Sequence, residues 1–310
     1  MTLAYIAWIL VCLIWGTTYL AIRVALESFP VALLAGVRWA LAGAVLAALL
    51  PIFGERLPPI RTWRPMALTG FLMVVIGNGG VVWAQQYVAS GLTAVLVATV
   101  PFWSIVVEAF LPRRERVTPM TLAGLLSGFA GIVVLVWPEL TLGGQDGRLF
   151  VYGVISLQIA MLGWALGTSY TKRYTPSETP LGASAVQMLL SGLMFIAVGT
   201  ALGEWKALTF TTWTVGAMLY LAIVGSVIAF TAYGYALKHL SITTVSLYAY
   251  VNPVIAILLG VVWLDEPFTM RTAAASALVL AGVAATTLRR GRPRSREGRE
   301  HFVTSRFQHS

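Results

Sequence analysis

The sequence predicts an all-α integral membrane protein of ten transmembrane helices, arranged as two inverted five-helix repeats. Three observations carry this. Of the 310 residues, 58% are hydrophobic and only 11% charged, with a mean hydropathy of +0.81, more apolar surface than a soluble core can bury. The apolar residues also gather into ten continuous runs, each near the roughly 20 residues that cross about 30 Å of hydrocarbon as a helix with its backbone groups paired internally. Finally, the two halves of the chain echo one another at an offset of about 151 residues with one-residue slips. An odd number of spans per half turns the second copy upside down, an arrangement used by secondary transporters.

The predicted spans run over residues 3–22, 30–52, 66–85, 92–111 and 120–137 in the first half, and 150–171, 182–202, 213–235, 243–263 and 270–288 in the second. The first repeat is bounded at 1–138 and the second at 149–288, with a basic tail at 289–310. Gly16-Thr17-Thr18-Tyr19 returns as Gly167-Thr168-Ser169-Tyr170, and Trp15 is answered, with a two-residue slip, by Trp164. Val100-Pro101 is echoed by Asn252-Pro253, Glu115-Arg116-Val117-Thr118 by Glu266-Pro267-Phe268-Thr269, and Gly131 by Gly282.

Alternate loops carry the basic residues. With the N-terminus inside, Arg23, Arg148, Lys206 and Arg271 fall outside, Arg38 lies within a span, and every other Lys and Arg falls on the cytoplasmic side. The positive-inside rule therefore places both termini in the cytoplasm of a multi-pass inner-membrane protein. The pI near 10.0 reflects this topology and not a nucleic-acid partner. The tail from Arg289 to Ser310 is expected to act as a topology anchor, with a grip on anionic lipid headgroups the alternative. No basic n-region precedes the first run, so residues 1–22 are expected to stay as a helix.

Charged residues inside spans carry the most information, because each costs at least ~2.5–3.5 kcal/mol near the bilayer centre. Arg38 lies about eight residues into the second span, about 12 Å deep at 1.5 Å per residue, and must face protein or water. It is a candidate partner for an anionic substrate group. Glu108 lies near the cytoplasmic end of the fourth span, within reach of Arg113 or Arg114 by snorkelling, and direct pairing with Arg38 is not expected. It is a candidate for proton coupling, its alternative being a structural role.

Trp15 and Trp164 fall near mid-membrane, where an indole N–H needs a partner that the interface would otherwise supply. Pro101 and Pro253 fall about ten residues into their spans and should free the carbonyls of Val97 and Ala249, kinking both helices as hinges. Thr99, Phe102, Trp103 and Val106 share one face, as do Ser246, Tyr250, Pro253 and Ile257, with Asn252 adjacent. Gly77-Asn78-Gly79-Gly80 makes a weak, polar stretch of the third span, whose eighth-span counterpart offers Thr231, Tyr233 and Tyr235. Gly124, Gly128 and Gly131 in the fifth span, and Ala277, Ala281 and Ala285 in the tenth, are small-residue seams for tight helix packing within a monomer or, alternatively, across a homodimer. The two Glu-x-x-Thr sequences read as caps for the fifth and tenth helices.

These motifs resemble the EamA branch of the drug/metabolite transporter superfamily, and most of all its YedA-type permeases. They are Trp15-Gly16-Thr17-Thr18-Tyr19, Gly36-Val37-Arg38-Trp39, Gly77-Asn78-Gly79-Gly80, Val97-Ala98-Thr99-Val100-Pro101, the Glu115 and Glu266 loops and Tyr248-Ala249-Tyr250-Val251-Asn252-Pro253. The resemblance spans residues 3–288. It implies the drug/metabolite transporter fold, with a central cavity lined by spans 1, 3, 4, 6, 8 and 9, and export of amino acids or related metabolites, with drug efflux the alternative. On that analogy Trp15, Asn78, Trp103, Trp164, Tyr250 and Asn252 face the cavity; Tyr19 and Arg38 complete the substrate-binding candidates. Leu111-Pro112-Arg113-Arg114 departs from the small or apolar residues usual before the first-half Glu.

An intramembrane enzyme would need paired carboxylates, a nucleophile with its base, or a metal cluster at membrane depth. The acids do not cluster, Cys12 is the one cysteine, His239 lies at a helix end, and His301 and His309 lie in the tail. No catalytic residue, metal or cofactor is expected. A channel would need a charged ring or carbonyl filter, which the sequence does not offer.

Overall fold

The computed structural model describes residues 2–110, 119–142, 144–174, 180–240 and 248–287, all helices and short connections. The first half comprises α1 (Thr2–Ala25), α2 (Val31–Leu49), α3 (Trp63–Gly70), α4 (Gly79–Ala84), α5 (Ser90–Val97), α6 (Val100–Ala109) and α7 (Pro119–Leu142). The second comprises α8 (Gly144–Tyr174), α9 (Pro180–Ala201), α10 (Thr212–Ala222), α11 (Ala229–His239), α12 (Tyr248–Leu264) and α13 (Met270–Thr287). Counting α3–α4, α5–α6 and α10–α11 as continuous segments, seven helices among the described residues are long and apolar enough to cross a membrane. Shorter apolar helices, Leu122–Pro138, Val251–Leu264 and Met270–Gly282, occupy the fifth, ninth and tenth predicted segments. The Glu115 loop, Arg113, Arg114, Ser246 and the basic tail lie outside the described residues, as does the side chain of Tyr250.

The outward faces are apolar. On α1 the exposed side chains include Leu3, Ile6, Ile9, Leu10 and Leu13, whereas Ala4, Ala7, Val11, Cys12 and Ile14 are buried. Such a continuous apolar exterior is untenable in water and ordinary in lipid.

Two helix pairs brace the bundle. Along α2 and α9, Gly43 approaches the backbone nitrogen of Leu189 so closely that a Cβ there would lie 2.5 Å from it, and Gly192 sits against the backbone of Ala40. Along α7 and α13, an added Cβ at Gly131 would lie 2.8 Å from the Ala275 carbonyl, and Gly282 packs on Gly124 and Gly128. Ser127 Oγ donates to Leu278 O at 3.0 Å across the same pair. The glycine seam of the fifth segment is thus used within the chain. The tenth-segment seam needs correction: Ala277 and Ala281 are exposed, and the buried face is Ala275, Val279 and Gly282. At about 100° per residue, Ala277 is turned roughly 200° from Ala275, and the backbone approach to Gly131 selects the latter's face.

Three predicted spans are interrupted. A π-helical stretch, Phe71–Asn78, joins α3 to α4, and another, Ile223–Ile228, joins α10 to α11. The fourth is broken between α5 and α6: Thr99 N–H returns to Leu96 O (3.2 Å) and Phe102 N–H to Thr99 O (2.8 Å). Pro101 therefore sits in the first turn of a new helix, where its missing N–H has no carbonyl to abandon. The expected mid-helix kink there is replaced by a helix end and restart. Pro253 lies inside α12, which runs on through it.

Carboxylates tie the halves together at helix N-termini, where the first N–H groups lack intrahelical partners. Thr269 caps α13 as expected, accepting from Thr272 N–H at 3.2 Å. Glu266 does not serve its own helix. It crosses to α5 and accepts from Ser90 N–H (2.7 Å), Ser90 Oγ–H (3.0 Å) and Gly91 N–H (3.2 Å). Asp265, in the left-handed region at φ 51°, turns the chain that aims it. Glu204 likewise reaches α2, accepting from Ala32 N–H (3.3 Å) and Leu33 N–H (2.8 Å), while Glu55 accepts from Gly182 N–H of α9 (3.3 Å).

Candidate functional site

A cavity of about 100 Å³ lies between the halves. Its wall takes Trp15, Thr18, Tyr19 and Ile22 from α1, Arg38 and Trp39 from α2, and Gly77, Asn78 and Val81 around the first π stretch. The fourth segment contributes Ala94, Val97, Ala98 and Val100, α8 contributes Met161 and Trp164, α11 Phe230, and α12 Tyr248, Ala249 and Asn252. Six predicted residues therefore meet on one wall: Trp15, Tyr19, Arg38, Asn78, Trp164 and Asn252.

The π stretches present polar groups to that wall. An i→i−5 turn widens the helix and displaces carbonyls from the regular ladder, and such turns recur at functional sites. Trp15 Nε1 donates to Gly225 O at 3.3 Å, which answers the need of a mid-depth indole. Arg38 Nε donates to Ser226 Oγ at 3.2 Å, and that hydroxyl donates in turn to Leu221 O at 3.0 Å. In the first π stretch, Asn78 Oδ1 accepts from Trp39 Nε1 at 2.9 Å. Asn252, with its amide nitrogen turned to the orientation that satisfies it, donates to Cys12 O (3.0 Å) and Tyr248 O (3.1 Å), joining α12 to α1.

Aromatic rings frame the polar groups. Trp15 packs against Phe230, Tyr233 and Tyr248 at centroid distances of 5.6, 5.2 and 5.0 Å, and Trp39 meets Phe230 at 5.8 Å. The Arg38 guanidinium lies 4.7 Å from the Trp39 ring centroid, close enough for a cation–π contact.

Trp103 lies elsewhere. Its Nε1 donates to Gln158 Oε1 at 3.0 Å, and it lines a separate groove with residues such as Ile132, Val136 and Val154. The break at Ala98–Thr99 resets the phase of α6, so the face carrying Phe102 and Trp103 turns toward α7 and α8, where Phe102 packs on Gly128. Glu108 accepts a hydrogen bond from Ser169 Oγ; it is not on the cavity wall, and Arg38 makes its contacts with Ser226 and Trp39.

Sequence reasoning missed Trp39, Phe230, Tyr248 and Ser226. Tyr248 was within reach: it stands four residues before Asn252 and so shares its face. Which face points inward is set by α1, because Gly16 leaves room for Ile255, which an added Cβ would meet at 2.8 Å, and Cys12 O receives the Asn252 amide. The second segment was also absent from the implied lining, although the depth of Arg38 had marked it.

The model of the EamA-like transporter family matches residues 2–137 and again residues 151–288. The uncharacterized inner membrane transporter YedA of Escherichia coli K12 is 38% identical over 251 residues, covering 80% of this chain and 78% of its own. An uncharacterized transporter of Archaeoglobus fulgidus is 24% identical over 280 residues, 89% of this chain and 96% of its own. A solved crystal structure superposes with a TM-score of 0.65 and 23% identity over 93% of this chain and 99% of its own, a likeness that speaks for the fold alone.

Proposed function

The chain belongs to the EamA-like transporter family, and from that premise we propose that it is a secondary carrier of the inner membrane, exporting amino acids or related small metabolites by alternating access. The observation that carries this is the cavity, whose wall draws on both halves of an otherwise lipid-facing bundle. In this reading ten helices form two inverted repeats, residues 1–138 and 149–288, with both termini in the cytoplasm. The family model's two successive matches support the repeat. So do the paired π stretches, Phe71–Asn78 and Ile223–Ile228, and the reciprocal caps of Glu55 on α9 and Glu204 on α2.

Substrate contacts fall to Trp15, Tyr19, Arg38, Asn78, Trp164 and Asn252. The break before Pro101 and the helix interior at Pro253 are the joints about which the repeats rock. No covalent chemistry is required, and the carrier works as a monomer or homodimer. The aromatic wall of Trp15, Phe230 and Tyr248 favours a second reading, efflux of drug-like compounds.

Counterflow in proteoliposomes loaded with an amino-acid mixture tests the carrier. Exchange of a defined amino acid supports the first reading, and exchange of aromatic drugs alone supports the second. Folded protein that exchanges neither class overturns both.

If transport is coupled to protons, Glu108 is the proposed proton carrier. Glu108→Gln is expected to abolish accumulation driven by a pH gradient while leaving counterflow intact. Gradient-driven uptake unchanged in that variant removes Glu108 from the mechanism.

A further inference from the structure

The cavity holds one charged side chain among its described lining residues, and it has no counter-charge. Arg38 is 3% exposed. Its Nε is taken by Ser226 and its π face by Trp39, but Nη1 is buried without a hydrogen-bond partner. No Asp or Glu among the described residues lines the cavity.

A guanidinium cannot shed its proton in a protein, so its burial calls for an anion at the open edge of the fork. That planar edge matches a carboxylate better than a point anion does. An ammonium group, by contrast, finds no carboxylate among the described lining residues, only aromatic faces, hydroxyls and neutral amide oxygens that cannot offset a second positive charge beside Arg38.

Resting on the carrier reading above, we propose that the transported species is an organic carboxylate that enters the cavity as a net anion. Its carboxylate pairs with Arg38 and its apolar body packs against Trp15, Phe230 and Tyr248. Ser226 is a positioning residue: by holding Nε it leaves the Nη1 edge facing the ligand. An amino acid is accepted in this site through its carboxylate, and its deaminated counterpart binds at least as well.

The test measures tryptophan fluorescence and thermal stabilisation of the purified full-length protein. The probes are 3-phenylpropanoate, 4-methylpentanoate, phenylalanine, phenethylamine and 3-phenylpropanamide. Saturable binding of the two carboxylates is expected, with the amine and amide at least tenfold weaker. Arg38→Gln should lose carboxylate binding by tenfold or more, and Arg38→Lys should fall between. Ser226→Ala, which keeps the charge, should weaken the carboxylates several-fold without changing the amide, and it carries the test if Arg38→Gln does not fold.

Absence of saturable carboxylate binding to folded protein overturns the proposal. So does equal binding of amide and acid, or carboxylate binding indifferent to both variants. Counterflow of neutral or cationic compounds that is unaffected by Arg38→Gln would overturn the anion proposal and leave the carrier reading standing.

Discussion

Gly192→Leu is expected to eliminate recovery of folded protein, whereas Gly216→Leu should be recovered like the wild type. At Gly192 even the first side-chain carbon would collide with Ala40, lying 2.7 Å from its Cα and 2.8 Å from its Cβ. Both are α2 atoms that cannot rotate away, so the helices must separate. Overpacking a close interface costs about 1–3 kcal/mol for modest enlargements, and a leucine here removes the approach that dispersion and packing depend on in lipid. The α2–α9 pair also carries the Glu55 and Glu204 caps, so spreading it disrupts both ends. Gly216 on α10 has nothing within 4 Å of an added Cβ, which makes it the matched control. Monodisperse elution and a cooperative thermal transition are the readouts. Wild-type behaviour of Gly192→Leu would mean that the two helices do not meet through this glycine.

Glu266→Ala is expected to loosen the cavity beside α5 and to lower the thermal midpoint. Its carboxylate receives three hydrogen bonds from Ser90 and Gly91, at a helix end whose partial positive charge favours it. Removing it leaves buried donors without acceptors, at about 1–3 kcal/mol for each that water does not reach. Ala94 stands one turn further along the same helix, on the cavity wall and 1% exposed. In a Cys12→Ala background, cysteine substituted for Ala94 should react with a soluble maleimide several-fold faster once Glu266 is removed. Glu266→Gln, which keeps one acceptor oxygen, should lie between. Equal labelling rates in all three would show that the carboxylate caps α5 without holding the cavity closed.

Much of the membrane architecture was legible because its causes are local in the chain. Apolar runs of membrane-spanning length predict helices wherever they occur, and the cost of a charge in lipid singles out Arg38 whatever surrounds it. A break does accompany Pro101, although it falls ahead of it at residues 98–99 and not as a kink around it, whereas α12 runs on through Pro253. The paired tryptophans were identified by their depth and by their matching places in the two halves, and both reach the cavity wall.

The helix faces were less legible. Trp103 was chosen by a spacing pattern that held within its segment. The phase of α6 depends on how the chain restarts after Thr99, and the inward face of α12 depends on what α1 offers it. Ser226 looks unremarkable in sequence; it matters because it lies in the π turn Ile223–Ile228 and accepts from Arg38 on α2.

By itself, then, the sequence determined the class of protein, its apolar runs of membrane-spanning length and the deep charge, Arg38, that needs an answer. Those follow from composition, periodicity and the solvation cost of single groups, which act at each position without regard to distant ones. Only the tertiary structure decided which faces look inward, where Glu266, Glu204 and Glu55 reach, and that Arg38, on the cavity wall, keeps a buried Nη1 without a partner. Each of these depends on segments far apart in the chain coming within hydrogen-bonding or van der Waals distance, where the geometry of both partners must be met at once.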